Sequence, residues 1–161
     1  MTTDLSVRAA KQTDLDVLVQ FNAAMAMETE AKQLDYALLR AGVAGVLGEP
    51  RRGFYLVAEF ESVVVGCLMI TYEWSDWRNG DWWWLQSVYV HPQHRRRGVF
   101  RALYTEIERR AQERAEVVGI RLYVENENVR AQKTYATLGL GEEHYRIYCK
   151  PLRADSGANP T

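Results

Sequence analysis

HPQHRRRGVFRAL, residues 91–103, sets three consecutive arginines and a glycine between an apolar run and an amphipathic one. Upstream, WWWLQSVYV (82–90) is aromatic and β-branched and reads as a strong strand. Period 2 puts Trp82, Trp84, Gln86, Val88 and Val90 on one face and Trp83, Leu85, Ser87 and Tyr89 on the other. Both faces are largely apolar, so the strand is expected at the centre of a sheet. Downstream of Val99, the residues Phe100, Leu103, Tyr104, Ile107 and Ala111 form one stripe opposite a charged face, which predicts a helix. Strand, short polar loop, then helix is a context in which unsatisfied N–H groups converge on an anion. Gly98 lets the backbone approach closely, and Arg95, Arg96 and Arg97 add positive charge at the same point. The stretch reads as a phosphate or pyrophosphate cradle. Its spelling is neither a P-loop, which needs GxxxxGK[ST], nor a dinucleotide fingerprint, which needs GxGxxG after the first strand.

Working outward, Leu5-Ser-Val7-Arg is a short first strand. Thr13 and Asp14 offer N-cap chemistry to a helix carrying Leu15, Leu18, Val19 and Ala23 at helical spacing. A second helix is expected from about Asp35 to Leu47, with the polar segment MAMETEAKQLD between them partly open. GFYLVAEFESVVVGCLMITYEW contains two strands joined as a hairpin at Glu61-Ser62, and SDWRNGD is a turn that takes Trp74 and Trp77 into a loop. GIRLYVE is another strand; NVRAQKTYATLG is a helix capped by Asn128 and stopped by Gly139. HYRIYCKPL is expected as a last strand. The order is β-α-α-β-β-β-α-β-α-β, a mixed, mostly antiparallel α/β sheet flanked by about four helices. A single domain over 1–152 is expected, with 153–161 as a disordered tail.

The chain has 161 residues, 47% hydrophobic and 25% charged, as in a globular protein. No apolar run reaches the roughly 18–20 residues of a membrane helix, and the acidic N-terminus lacks a signal h-region, so no membrane partner and a cytoplasmic location are expected. The formal net charge of −1 argues against a nucleic-acid-binding protein, whose affinity would come from neutralising many phosphates. Cys67 and Cys149 lie in expected strands and read as reduced core thiols. Neither they nor His91, His94 and His144 have metal-ligand spacing, so no metal is expected.

SVYVHPQHRRRGVFRALY resembles the cofactor motif of the GNAT N-acetyltransferase superfamily, in which a strand ending V-x-V-x-P precedes [RQ]-x-x-G-x-[GA] and a long helix. LYVENENVRAQKTYATLGL resembles its second motif, N-x-x-A-x-x-x-Y with a leucine-glycine-apolar close. The motifs fall in the right order, and the element order matches that fold from Leu5 to Leu152. The resemblance implies acetyl-CoA as co-substrate. The strand backbone at Val88, Tyr89 and Val90 would meet the acetyl carbonyl and pantetheine arm. Arg95, Arg96, Arg97, Gly98, Val99 and Phe100 would wrap the pyrophosphate, with Arg101 adding charge. Asn128 would bond the pantetheine arm, and Tyr135 would stand beside the thioester sulfur as general acid. That residue chemistry suits direct transfer: an N–H such as that of Val88 stabilises the tetrahedral oxyanion, and a tyrosine hydroxyl reprotonates the leaving thiolate.

Two positions depart from the pattern. Phe100 replaces the usual Gly or Ala and is expected to turn into the core. Trp84 occupies the strand position where histone-type members carry a glutamate base, so the base lies elsewhere or is a water. An amine acceptor arrives as an ammonium ion and needs a carboxylate or π-face. Glu28 and Glu30, between the first two helices, are the acidic candidates, Glu28 both as substrate ligand and as catalytic residue. Trp84 and Tyr145 are candidate acceptor walls, with Tyr148 beside Tyr145. Exposed tryptophans and an edge strand near 144–150 point to a homodimer. The competing reading is a CoA-binding sensor or interaction module without turnover, which the missing strand glutamate would permit.

Overall fold

The computed structural model describes residues 5–153. The last eight residues of the expected tail therefore lie outside the described residues. The first strand, β1 (Leu5–Ala9), leads through a single 3-10 turn into helix α1 (Leu15–Glu30). A second helix, α2 (Tyr36–Gly48), follows, capped by the Asp35 carboxylate, which accepts from the Leu38 N–H at 2.9 Å. Three antiparallel strands come next: β2 (Phe54–Phe60), β3 (Val63–Ser75) and β4 (Gly80–Val90). Helix α3 (Val99–Gln112), strand β5 (Val117–Leu122) and helix α4 (Val129–Thr137) complete the regular elements. The sheet runs β1-β2-β3-β4-β5; among the described residues only the β4–β5 pair is parallel.

The two faces of the sheet build two cores. Leu56, Leu68, Ile70, Trp83 and Leu85 point toward α3, where Leu103 and Ile107 are fully buried. On the opposite face Tyr55, Val57, Cys67 and Tyr89 receive Leu18, Val19 and Phe21 of α1 and Val43 of α2. The expected stripe of α3 is the one that is buried. A buried acid anchors the start of α1: Arg8 donates to both oxygens of Asp14 (2.7 and 3.0 Å) and to Glu59 of β2 (2.5 and 2.9 Å). The guanidinium holds the Asp14 carboxyl below the usual carboxylate range, against the opposing effect of its burial.

The structure differs from the sequence expectation at four places. First, α1 continues through MAMETE, so Glu28 and Glu30 stand in its last turn rather than in a loop, and the helix stops at Ala31 in the left-handed region (φ 49°). Alanine, methionine and glutamate are strong helix formers, and their polarity does not open the segment. Second, Trp74 lies within β3; only Trp77 is in the turn. Third, the single alternation expected along β4 is broken by a bulge. Cys67 pairs with Tyr89 but Met69 pairs with Gln86, so β4 carries one more residue than β3 across this interval, and Ser87 takes φ 50°. Beyond the bulge Val88 and Val90 join the α3 face of Trp83 and Leu85, while Tyr89 turns toward α1. Fourth, HYRIYCKPL pairs with no strand among the described residues: residues 141–153 are all exposed and outside regular secondary structure, so Cys149 is exposed rather than a core thiol.

Candidate active site

The bulge and the parallel strand together open the sheet. Pairing of β4 with β5 runs from Asp81 opposite Val117 to Leu85 opposite Leu122 and stops there. From Gln86 to Val90 the β5-facing edge of β4 has no strand partner among the described residues. Helix α4 borders this gap, and Val88, Phe100, Asn128, Arg130, Ala131, Thr134 and Tyr135 line a cleft of about 280 Å³ there. Residues from both motifs, 47 positions apart between Val88 and Tyr135, thus converge on one space.

Each wall has a local cause. Asn128 is the N-cap of α4, its side-chain oxygen accepting from the Ala131 N–H at 3.1 Å, which leaves its amide NH₂ free to donate into the cleft. Gly139 closes the helix at φ 85°. Phe100 is half-buried against the α3 core, as expected, and its ring also meets Tyr135 edge-on, centroids 6.0 Å apart. Burial pushes the Tyr135 phenol above its ordinary pKa, so its proton stays in place at neutral pH. At the head of α3, Gly98 takes φ 80° and presents open space where a side chain would stand. A helix N-terminus, an open left-handed glycine and an exposed basic loop suit a pyrophosphate, and the unpaired β4 edge suits an amide-bearing arm laid alongside it. The residues present therefore fit the expected acetyl-CoA.

The three arginines do not act as one cluster. Arg95 folds back toward α1: its Nη2 donates to Glu28 Oε2 at 2.6 Å, its Nε donates to the Val90 carbonyl at 2.9 Å, and its guanidinium lies 5.6 Å from the Tyr89 ring centroid. Arg96 is exposed with φ 61°, and Arg97 lies over the Phe60 ring at 4.8 Å. Arg101, in the first turn of α3, is exposed.

Glu28 is the residue that links the two expected subsites. Besides Arg95 it accepts from the Tyr89 hydroxyl at 3.1 Å, and the Arg95 guanidinium holds its carboxyl below the usual range. Such a carboxylate stays ionised and takes up a proton poorly. Glu30, the last residue of α1, is exposed. Trp84 stacks on Tyr123 with centroids 4.3 Å apart, and its indole N–H donates to the carboxylate of Glu73 on β3. Glu73 is the carboxylate that sequence reasoning missed: it lies on the neighbouring strand, beside the position from which the family glutamate is absent. The signal was its place in β3 opposite Trp82. Tyr145 is outside this assembly, exposed and stacked only on His144 among its ring contacts. Among the described residues no group of His, Cys, Asp or Glu could hold a metal ion. Among the described residues no helix is long and apolar enough to cross a membrane.

Residues 19–140 match the acetyltransferase (GNAT) family. No curated protein matches the chain. Among solved structures, a possible acetyltransferase from Clostridium difficile 630 is 42% identical, with a TM-score of 0.88 over 92% of this chain and 98% of that one. The aminoglycoside N-acetyltransferase AAC(6')-Iy, solved with CoA, is 16% identical with a TM-score of 0.75, over 95% of this chain and 98% of its own. A GCN5-related N-acetyltransferase from Ralstonia eutropha JMP134 is 21% identical with a TM-score of 0.72, over 92% and 98%. These last two show a shared fold.

Proposed function

This chain belongs to the GNAT family of acetyltransferases, and from that premise we propose that it moves the acetyl group of acetyl-CoA directly to a primary amine in a ternary complex. The observation that carries the reading is the cleft between the unpaired end of β4 and α4, where Val88, Asn128 and Tyr135 meet. AAC(6')-Iy, which has been solved with CoA and with a bisubstrate analogue, shares the fold and supports CoA as the acyl carrier.

In this reading the thioester supplies the activated acyl group, and the chain supplies position and protons. The β4 edge from Val88 to Val90, with Tyr89 between them facing α1, aligns the pantetheine arm, and a backbone N–H at Val88 meets the developing oxyanion. The Asn128 amide donates to the same arm. The turn from Arg95 through Gly98, Val99 and Phe100 to Arg101 holds the phosphates, with Arg96 and Arg97 as counter-charges. Tyr135, its proton retained by burial, gives that proton to the leaving thiolate. Glu28 attracts the acceptor ammonium rather than deprotonating it, because Arg95 depresses its pKa; water is the proton acceptor. Glu30 extends the acidic rim, and Trp84 forms an aromatic wall. Tyr145 reaches a site only through assembly with a second protomer.

The domain spans 1–152, works in the cytoplasm as a homodimer, and uses neither metal nor nucleic acid. The test is a thiol-release assay with acetyl-CoA against polyamines, aminoglycosides, amino acids, peptide N-termini and lysine peptides. Release that requires one amine class establishes the reaction and its acceptor. Tight acetyl-CoA binding with no release on any amine establishes the non-catalytic sensor instead.

A further inference from the structure

We propose that the acceptor is a monoamine carrying a flat aromatic ring, and that this ring stacks on Tyr123 and Trp84 where β4 and β5 separate. This rests on the amine acetylation proposed above and names the class of its acceptor.

Position comes from the way the sheet opens. Pairing of β4 with β5 ends at Leu85 opposite Leu122, so Tyr123 is the first residue past the last pair and stands at the mouth of the cleft. Leu122 packs against the α3 core, and strand alternation turns Arg121 and Tyr123 to the other face of the sheet. That is the face on which Tyr89 meets Glu28 beyond the bulge. Val88 lies three positions along β4 from Leu85, on the order of 10 Å at about 3.3 Å per residue. A ring with a short alkyl arm reaches on that scale. Helices α1 and α2 cover Tyr55, Val57, Cys67 and Tyr89 on this face, but Tyr123 stays 57% exposed.

The surface beside the mouth is built from planar groups held flat. A Cβ on Gly119 would stand 2.3 Å from the Trp82 ring, so that ring lies directly on the bare β5 backbone. The Arg121 guanidinium lies over the same ring, 3.9 Å from its centroid, and donates to Glu73 Oε1 at 3.5 Å. Glu73 also accepts the Trp84 indole N–H, and Trp84 stacks on Tyr123 with centroids 4.3 Å apart. On the way to Tyr89, the Gln86 amide donates to the Thr71 hydroxyl at 2.5 Å. The indole N–H, the guanidinium and the Glu73 carboxylate are thus engaged with one another, and what the surface still offers a ligand is ring face.

Charge narrows the class further. Glu73 faces Arg121 and Glu28 faces Arg95, which leaves a polycation no row of free carboxylates to follow. One ammonium directed toward Glu28 and Tyr89, with a ring laid against Tyr123, uses what is present. Aromatic pairs gain from stacking beyond the area they bury, and a saturated ring of similar size does not.

The experiment compares kcat/KM for 2-phenylethylamine and 2-cyclohexylethylamine in the acetyl-CoA thiol-release assay, in the wild type, Tyr123→Phe and Tyr123→Leu. The two amines share an arm and differ in whether the ring is flat. The wild type should prefer the phenyl compound about tenfold or more. Tyr123→Phe should keep that preference, and Tyr123→Leu should reduce it to about twofold. Tyr123 is mostly exposed, so both variants should fold, which circular dichroism and acetyl-CoA calorimetry check. Equal turnover of the two amines, or a preference undiminished in Tyr123→Leu, overturns the aromatic acceptor and leaves acetyl transfer standing. Acetyl-CoA binding with no release on any amine overturns both.

Discussion

Replacing Tyr135 with phenylalanine removes one oxygen from the wall of the cleft and leaves its packing in place. The ring still meets Phe100 edge-on at about the present 6.0 Å centroid distance, and the half-buried side chain loses no apolar area, so the fold is expected to be retained. What is lost is a proton donor kept neutral by burial. General acid catalysis contributes about 10²–10⁴-fold, or roughly 3–5 kcal/mol of transition-state stabilisation at about 1.36 kcal/mol per decade. Tyr135→Phe should therefore lower kcat by at least about a hundredfold in the thiol-release assay, with KM for acetyl-CoA changed less than about threefold. A donor active only while a thiolate departs acts on kcat and not on ground-state binding. The ordinary phenol range is about 10, and burial moves Tyr135 above it, so the wild-type rate should not fall through loss of this proton below that pH. An unchanged kcat in a folded variant would refute the assignment, and so would a loss confined to KM.

Three further outcomes follow from the same geometry. Gly98→Val places a β-branched residue at φ 80°, in a region that costs L-residues about 1–2 kcal/mol, although space for the side chain is open; calorimetry should show acetyl-CoA bound about tenfold more weakly, with Tm lowered by a few degrees. Glu28→Gln removes the anion that binds Arg95 and, in this account, the acceptor ammonium; KM for the amine should rise about tenfold while acetyl-CoA binding is no weaker, and a fall in acetyl-CoA affinity instead would contradict it. Arg8→Gln leaves the nearly buried Asp14 without its charged partner, which should cost about 2–3 kcal/mol in urea unfolding. Because Arg8 lowers the Asp14 pKa, the pair's contribution is present above the ordinary carboxylate range and is lost as pH falls through the lower native value. The wild type should lose stability on that acid side, and Arg8→Gln should lose much less there.

Much of this site could be read from residue order because its parts are local. The α3 stripe, the Asn128 cap and the left-handed stop at Gly139 each depend on neighbours within a few positions, and all are present. The bulge in β4 was not legible, because a serine at positive φ carries no sequence mark and a period-2 reading carries straight through it. That one residue reverses which face Tyr89 and Val88 occupy. Nor was the Arg95–Glu28 pair, whose members are 67 positions apart and were assigned to different substrates. The last strand failed for the opposite reason: its pattern is in the sequence, but a strand exists only where a neighbouring edge accepts its hydrogen bonds.

In the proposed reaction acetyl-CoA lies along the open end of β4, between that strand and α4. Hydrogen exchange with and without acetyl-CoA measures it directly. Slowed exchange is expected at the Val88–Val90 amides, at the head of α3 from Gly98 to Arg101, and at the N-terminus of α4, with β1 and α2 unaffected. Protection elsewhere on the molecule, with these three segments unchanged at saturating acetyl-CoA, would contradict it.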